Sequence, residues 1–174
     1  MLKRTNSATI FVLACALAVS AFQSAEWIKV TPVGAGFSVL MPAKPEEEVK
    51  SGGDFTLHLF SITTAKAIYL AGYGDYAPSL KLSVDAELTA NRDKFLKGLN
   101  ATLVGSKQII LDGRPGLEFT GESEQASFKS RVYLSGNRVY QIAVAVLSGK
   151  TDDDNVDRFF ASFALANSQS PPKP

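Results

Sequence analysis

The sequence predicts an α+β domain, an antiparallel β-sheet covered by helices in an α/β/α sandwich. Three observations predict it. Segments of alternating apolar and polar residues recur between tight-turn signals, as in an antiparallel meander. Val139 to Leu147 (VYQIAVAVL) is apolar on both faces apart from Gln141, the pattern of a central strand covered on either side. Val156, Phe159, Phe160 and Phe163 recur at i, i+3, i+4 and i+7, one apolar stripe of a helix.

The elements follow in order. Trp27 to Thr31 is a short first strand, and Pro32 to Gly36 (PVGAG) turns the chain into a second, Phe37 to Met41, stopped by Pro42 and Pro45. This glycine-rich turn lacks both the later glycine of a dinucleotide fingerprint and the Gly-Lys-Ser/Thr of a nucleotide loop. The Glu46-Glu47-Glu48 run is expected to be solvated loop. Asp54 to Thr63 and Ala67 to Tyr76 form a hairpin rich in residues that fit a pleated, partly buried surface. A helix then starts behind Ser83, a residue able to cap it, with Asp85 and Glu87 near its positive end and Val84, Leu88, Phe95 and Leu99 on one face. Gly98 and Asn100 suit its end.

Strands Leu103 to Leu111, Gly116 to Gly121 and Ala126 to Leu134 come next. Asp112-Gly113 is a two-residue hairpin signal, and Pro115 argues for an edge or a bulge. A two-residue turn at Gly136-Asn137 would set Leu134 opposite Val139, Tyr133 opposite Tyr140 and Arg131 opposite Ile142. Ala143 and Ala145 would let a helix approach the central strand closely. The phenylalanine-striped helix closes the domain, which is expected to span residues 26–166. The polar, proline-rich tail 167–174 is expected to be disordered.

The first residues bear on compartment. Behind Lys3 and Arg4, the uncharged run Ala8 to Phe22 is too short to cross a membrane as a helix and fits a signal peptide, residues 1–21, cleaved after Ala21. This implies an extracytoplasmic protein, periplasmic or secreted. The alternative is a membrane-tethered lipoprotein, because Val12-Leu13-Ala14-Cys15 resembles a lipobox whose Cys15 would carry the lipid. Against that, the apolar run continues past Cys15 to Phe22. Cleavage after residue 21 leaves 153 of the 174 residues, enough for one self-sufficient core. Losing Lys3 and Arg4 from 18 basic residues leaves 16 against 17 acidic ones, a formal net charge of −1. That balance gives no electrostatic case for nucleic acid.

Chemistry is sparse. The mature chain has no cysteine and one histidine, His58, mid-strand in Thr56-Leu57-His58-Leu59-Phe60 and expected to be structural. No G-x-S-x-G elbow accompanies it, and zinc would lack ligands. Asp152-Asp153-Asp154-Asn155 with Asp157 fails as an EF-hand loop, since Arg158 falls where glycine is needed and Ala164 at the closing glutamate. Helix capping explains the acids instead. No cofactor is implied.

The residues placed above carry a resemblance. Gly36-Phe37-Ser38-Val39 leading to Pro42, Asp75-Tyr76 with Pro78, Asp112-Gly113-Arg114-Pro115-Gly116-Leu117-Glu118, Arg131-Val132-Tyr133-Leu134 with Gly136-Asn137-Arg138 and Tyr140-Gln141, and Phe159-Phe160-Ala161-Ser162-Phe163 form one such set. Across nearly the whole mature chain this set resembles a group of uncharacterised bacterial secreted proteins. More distantly, the order of strands and helices is similar to the PsbP-like fold, named for the photosystem II extrinsic protein, in which an antiparallel sheet lies between helices. The resemblance implies that fold and an exported location, and it brings no catalytic residue.

Two surfaces stand out as binding candidates. Lys129, Arg131, Tyr133 and Tyr140 share one strand face, with Glu118 across from Arg131. Tyrosine and arginine suit interfaces, although the same residues also decorate solvated sheet faces or lie beneath helices. Asp75 and Tyr76 with Pro78, at a strand exit, form the second. The expected function is a non-catalytic domain for binding or assembly in the cell envelope, with a protein or a small ligand as partner. The alternative is a hydrolase that uses carboxylates alone for acid and base work.

Overall fold

The computed structural model describes residues 26–166; the expected signal peptide, Cys15 and the 167–174 tail lie outside the described residues. The elements are β1 (Ile28–Val30), β2 (Phe37–Met41), β3 (Glu46–Gly52), β4 (Phe55–Thr63), β5 (Ala67–Tyr76), α1 (Val84–Gly98), β6 (Thr102–Leu111), β7 (Arg114–Glu122), β8 (Ala126–Ser135), β9 (Arg138–Leu147), α2 (Asp153–Ser162) and β10 (Ala164–Leu165). Seven strands form one antiparallel sheet in the order β3-β4-β5-β9-β8-β7-β6, so the doubly apolar β9 sits at its centre. A small sheet β1-β2-β10 packs with α2 on one face. The other face carries α1, which makes the molecule an α+β sandwich.

Turn chemistry sets the registers. Asp112 and Gly113 both take positive φ, 50° and 76°, the type I′ geometry that pairs Leu111 with Arg114. Gly136 (φ 60°) opens the β8–β9 turn, and Tyr133 faces Tyr140 as expected. Pro115 occupies neither an edge strand nor a bulge. It lies opposite Ile110, and the β7–β8 ladder begins one residue later at Gly116 and Tyr133, so its missing N–H costs no bond there. The register shift of this hairpin falls in β6, between Leu103 and Gly105.

Alternation along β9 sorts the core. Tyr140, Ile142 and Val144 face the α2 side, where they join Phe37, Tyr69, Phe159, Phe160 and Phe163. Val139 faces the α1 side with Val132, Leu134, Phe119, Leu88 and Leu96.

Besides Pro115, four features differ from expectation. Glu46 to Glu48 is part of β3, paired with β4 from Glu46↔Ser61 to Gly52↔Phe55, rather than loop. Every residue of β3 is exposed: backbone bonds to β4 hold this edge strand, and it needs no apolar pattern. The two-residue β10, beyond α2, pairs with β2 and was not anticipated. On α1, Leu88 and Leu96 are buried, whereas Val84 and Leu99 are 38% and 40% exposed. Between Leu88 and Leu96, one turn from each, stands Arg92, whose side chain is only 19% exposed, so the helix turns a mixed face to the sheet. Finally, Ser83 and Asp152 occupy the N-cap positions without making a side-chain cap bond. The Asp152 carboxylate instead accepts from the Tyr69 hydroxyl and from Asn155 Nδ2, the latter at 2.8 Å.

Candidate functional site

The first candidate cluster assembles as its register requires, beneath α2. Glu118 sits opposite Arg131, whose Nε donates to Glu118 Oε2 at 2.7 Å, while Lys107 Nζ lies 2.9 Å from Oε1. Burial raises the Glu118 pKa, but hydrogen bonds from Lys107 and Arg131 outweigh it and leave the carboxyl below the ordinary carboxylate value. Arg131 Nη1 also donates to the Phe160 carbonyl at 3.4 Å, in the last turn of α2, where a cation complements the helix dipole. Lys129 Nζ and the Arg131 guanidinium stand 5.0 and 5.1 Å from the Phe160 ring centroid. Tyr133 stacks on Phe163 with centroids 5.9 Å apart, and Tyr133 and Tyr140 are both buried. These side chains fasten the helix to the sheet.

Strand alternation splits the second candidate pair, since neighbours in β5 point to opposite faces. Tyr76 turns to the α1 side, where its hydroxyl donates to Glu87; burial, then that bond, pushes its pKa up to about 12. Asp75 turns to the other side and meets Arg138, its partner across β5 and β9. Arg138 Nε and Nη2 donate to the two Asp75 carboxylate oxygens at 2.6 and 2.7 Å, a bidentate pair. Arg138 Nη1 reaches the carbonyls of Gly34 and Ala35 at 2.7 and 3.1 Å. One guanidinium thus ties both strands to the β1–β2 loop. Gly36 in that loop has φ 72°, and a Cβ there would meet the Tyr140 hydroxyl at 2.9 Å.

A row of rings continues from this tie across the sheet. The Arg138 guanidinium lies 4.4 Å from the Tyr73 centroid, and the His58 ring stacks on Tyr73 at 4.6 Å with 4° between planes. Burial raises the Tyr73 pKa against the opposing effect of Arg138. His58 Nδ1 is 3.4 Å from Glu47 Oε1 on the edge strand. Above the row an open groove of about 610 Å³ runs between the β1–β2 loop and β3, walled by Val30, Pro32, Val33 and Phe60 with Lys44, Glu47, His58 and Tyr73. Arg138 carried no sequence signal of a site, because Asp75, Gly34 and Ala35 reach it from distant parts of the chain, and the loop expected at Glu46 to Glu48 hid the meeting of Glu47 with His58 across the β3–β4 hairpin. The alternation of β4 did place His58 on the face of Phe60.

An antiparallel sheet between an α1 layer and a layer of α2 with a short three-stranded sheet defines a PsbP-like α+β fold. The structure is similar to cyanobacterial PsbP (CyanoP) from Synechocystis sp. PCC 6803, with a TM-score of 0.55 at 13% identity over 83% of this chain and 95% of that one. A protein from Bacteroides thetaiotaomicron VPI-5482 matches at a TM-score of 0.37 and 14% identity over 80% of this chain and 48% of that one, too loosely to define a fold. No family model matches the chain, and no curated protein matches it.

Proposed function

We propose that this chain is an exported, non-catalytic binding domain that serves capture or assembly in the cell envelope. The groove over the stacked His58 and Tyr73 rings carries the reading. Its size falls within the range of ligand sites, its floor is aromatic, and a few polar groups stand at its rim. The charges beneath it are committed to one another, with Arg138 held by Asp75 and two carbonyls. Such an arrangement gives a rigid contact surface.

The carboxylates support binding over hydrolysis. A carboxyl general acid requires a raised pKa, and Glu118 has a lowered one, held by two cations. Asp152 is occupied by Tyr69 and Asn155 at the start of α2. The apolar run behind Lys3 and Arg4, and the resemblance to bacterial secreted proteins, support export.

The test uses a photo-crosslinking benzoylphenylalanine at Val33, a fully exposed rim position, in cells that make the protein. A discrete adduct is expected, and it is expected to vanish with Tyr73→Ala; absence of any adduct, or an adduct indifferent to Tyr73, contradicts the groove. The intact mass of the exported form is expected to begin at Phe22, and a lipid mass on Cys15 would replace that with the tethered form.

A further inference from the structure

On the face away from the groove, the large sheet is only half covered. α1 packs on β7 and β8 through Leu88 and Leu96. Over β4, β5 and β9, the side chains of Leu57, Leu59, Ile68 and Leu70 point to the same side as α1, and neither core cluster takes them in. Two hollows of about 260 and 360 Å³ run along this strip, and Leu70 and Phe95 line both. Gly72, Ala143 and Ala145 keep the floor low. From Ile68 to Gly74 the strand spans about 20 Å, which sets the length of the trough. The one charged side chain that lines either hollow is Lys94, exposed on α1 and, among the described residues, in no ion pair.

We propose that this trough binds one free fatty-acid anion, the acyl chain lying along Leu70, Phe95 and Leu147 and the carboxylate meeting the Lys94 ammonium. Apolar walls select an apolar ligand, and each methylene taken out of water raises affinity roughly fourfold. Hollows of about 260 and 360 Å³ have room for one chain. A single cation with no acid along the lining selects a negative head group. α1 runs beside the trough with Asn91 and Lys94 toward one end and Leu99 toward the other, which orients the ligand head to tail.

The exported protein, with isotope-labelled Ile, Leu and Val methyl groups, is titrated with laurate below its micelle concentration. Saturable shifts are expected at Leu57, Leu59, Ile68 and Leu70, with none at Ile142 and Val144 on the opposite face. Dodecyltrimethylammonium, with the same chain and a positive head, is expected to bind about tenfold more weakly, the equivalent of about 1.4 kcal/mol. Lys94→Glu, an exposed substitution, is expected to reverse that preference, and Ala145→Trp is expected to fill the floor and abolish the laurate shifts with the melting curve still cooperative. Four results would overturn the proposal: no saturable shift; equal binding of the two amphiphiles; shifts that track protein concentration without laurate, as when a second copy covers the face; or shifts with phosphatidylglycerol vesicles and none with laurate, as for a membrane surface.

Discussion

The two faces of the large sheet meet helices of different quality. On one, the ten-residue α2 buries Val156, Phe159 and Phe160, and Phe163 follows at its cap; these rings sit edge-on to Tyr69 and to one another and stack on Tyr133. On the other, the fifteen-residue α1 buries only Leu88 and Leu96 and leaves a trough beside itself. Helix length therefore does not determine how much sheet is covered. The phase of the apolar residues does: α2 repeats them at helical spacing, and α1 sets Arg92 in the middle of its inward face.

Substitutions can break that contrast, beginning with the largest effect. Phe159→Ala removes a ring with no solvent exposure and is expected to cost about 3 to 5 kcal/mol in urea unfolding. Leu96→Ala under α1 is expected to cost about 2 kcal/mol, the low end for a buried leucine, because the open flank of the helix lets the site relax. Equal losses at the two positions would mean that both faces are sealed alike.

Glu118 sharpens the contrast through pH. Its carboxyl titrates lower in the fold than in the unfolded chain, so its ionised form stabilises the fold above pH 4.5, and that contribution is lost as pH falls through the folded value. Glu118→Gln is therefore expected to lower stability at neutral pH and to flatten the loss between about pH 6 and about pH 3, measured as urea midpoints across that span. An unchanged acid limb would mean that the bonds from Lys107 and Arg131 do not hold the face under α2. Smallest is Leu99→Ser, at the exposed end of α1, expected to change stability by no more than about 0.5 kcal/mol.

The α2 side was the more legible in sequence for physical reasons. A two-residue turn leaves one register, so Gly136-Asn137 sufficed to place Tyr133 against Tyr140 and Arg131 against Ile142. Val156, Phe159, Phe160 and Phe163, at i, i+3, i+4 and i+7, have one face to bury. β3 was invisible because an edge strand wet on both sides needs no alternation. The capping role expected of Asp152 failed where local preference met a long-range partner, since Tyr69, 83 residues away, takes the carboxylate. The Arg138 tie joins Asp75, 63 residues distant, to Gly34, 104 residues distant, and no local pattern encodes such a meeting. Of the four α1 residues that described a stripe, Leu88 is buried and Phe95 packs on Phe119 and Phe128, while Val84 and Leu99 stay exposed and Leu96 and Arg92 fill the rest of the inward face.

Methyl relaxation caused by a small dissolved nitroxide measures the difference between the faces residue by residue. Strong broadening is expected at Leu57, Leu59 and Leu70 in the trough, with Ile142 and Val144 under α2 untouched. Protection of the three leucines, or broadening at Ile142 and Val144, would contradict a sheet sealed on one side and open on the other.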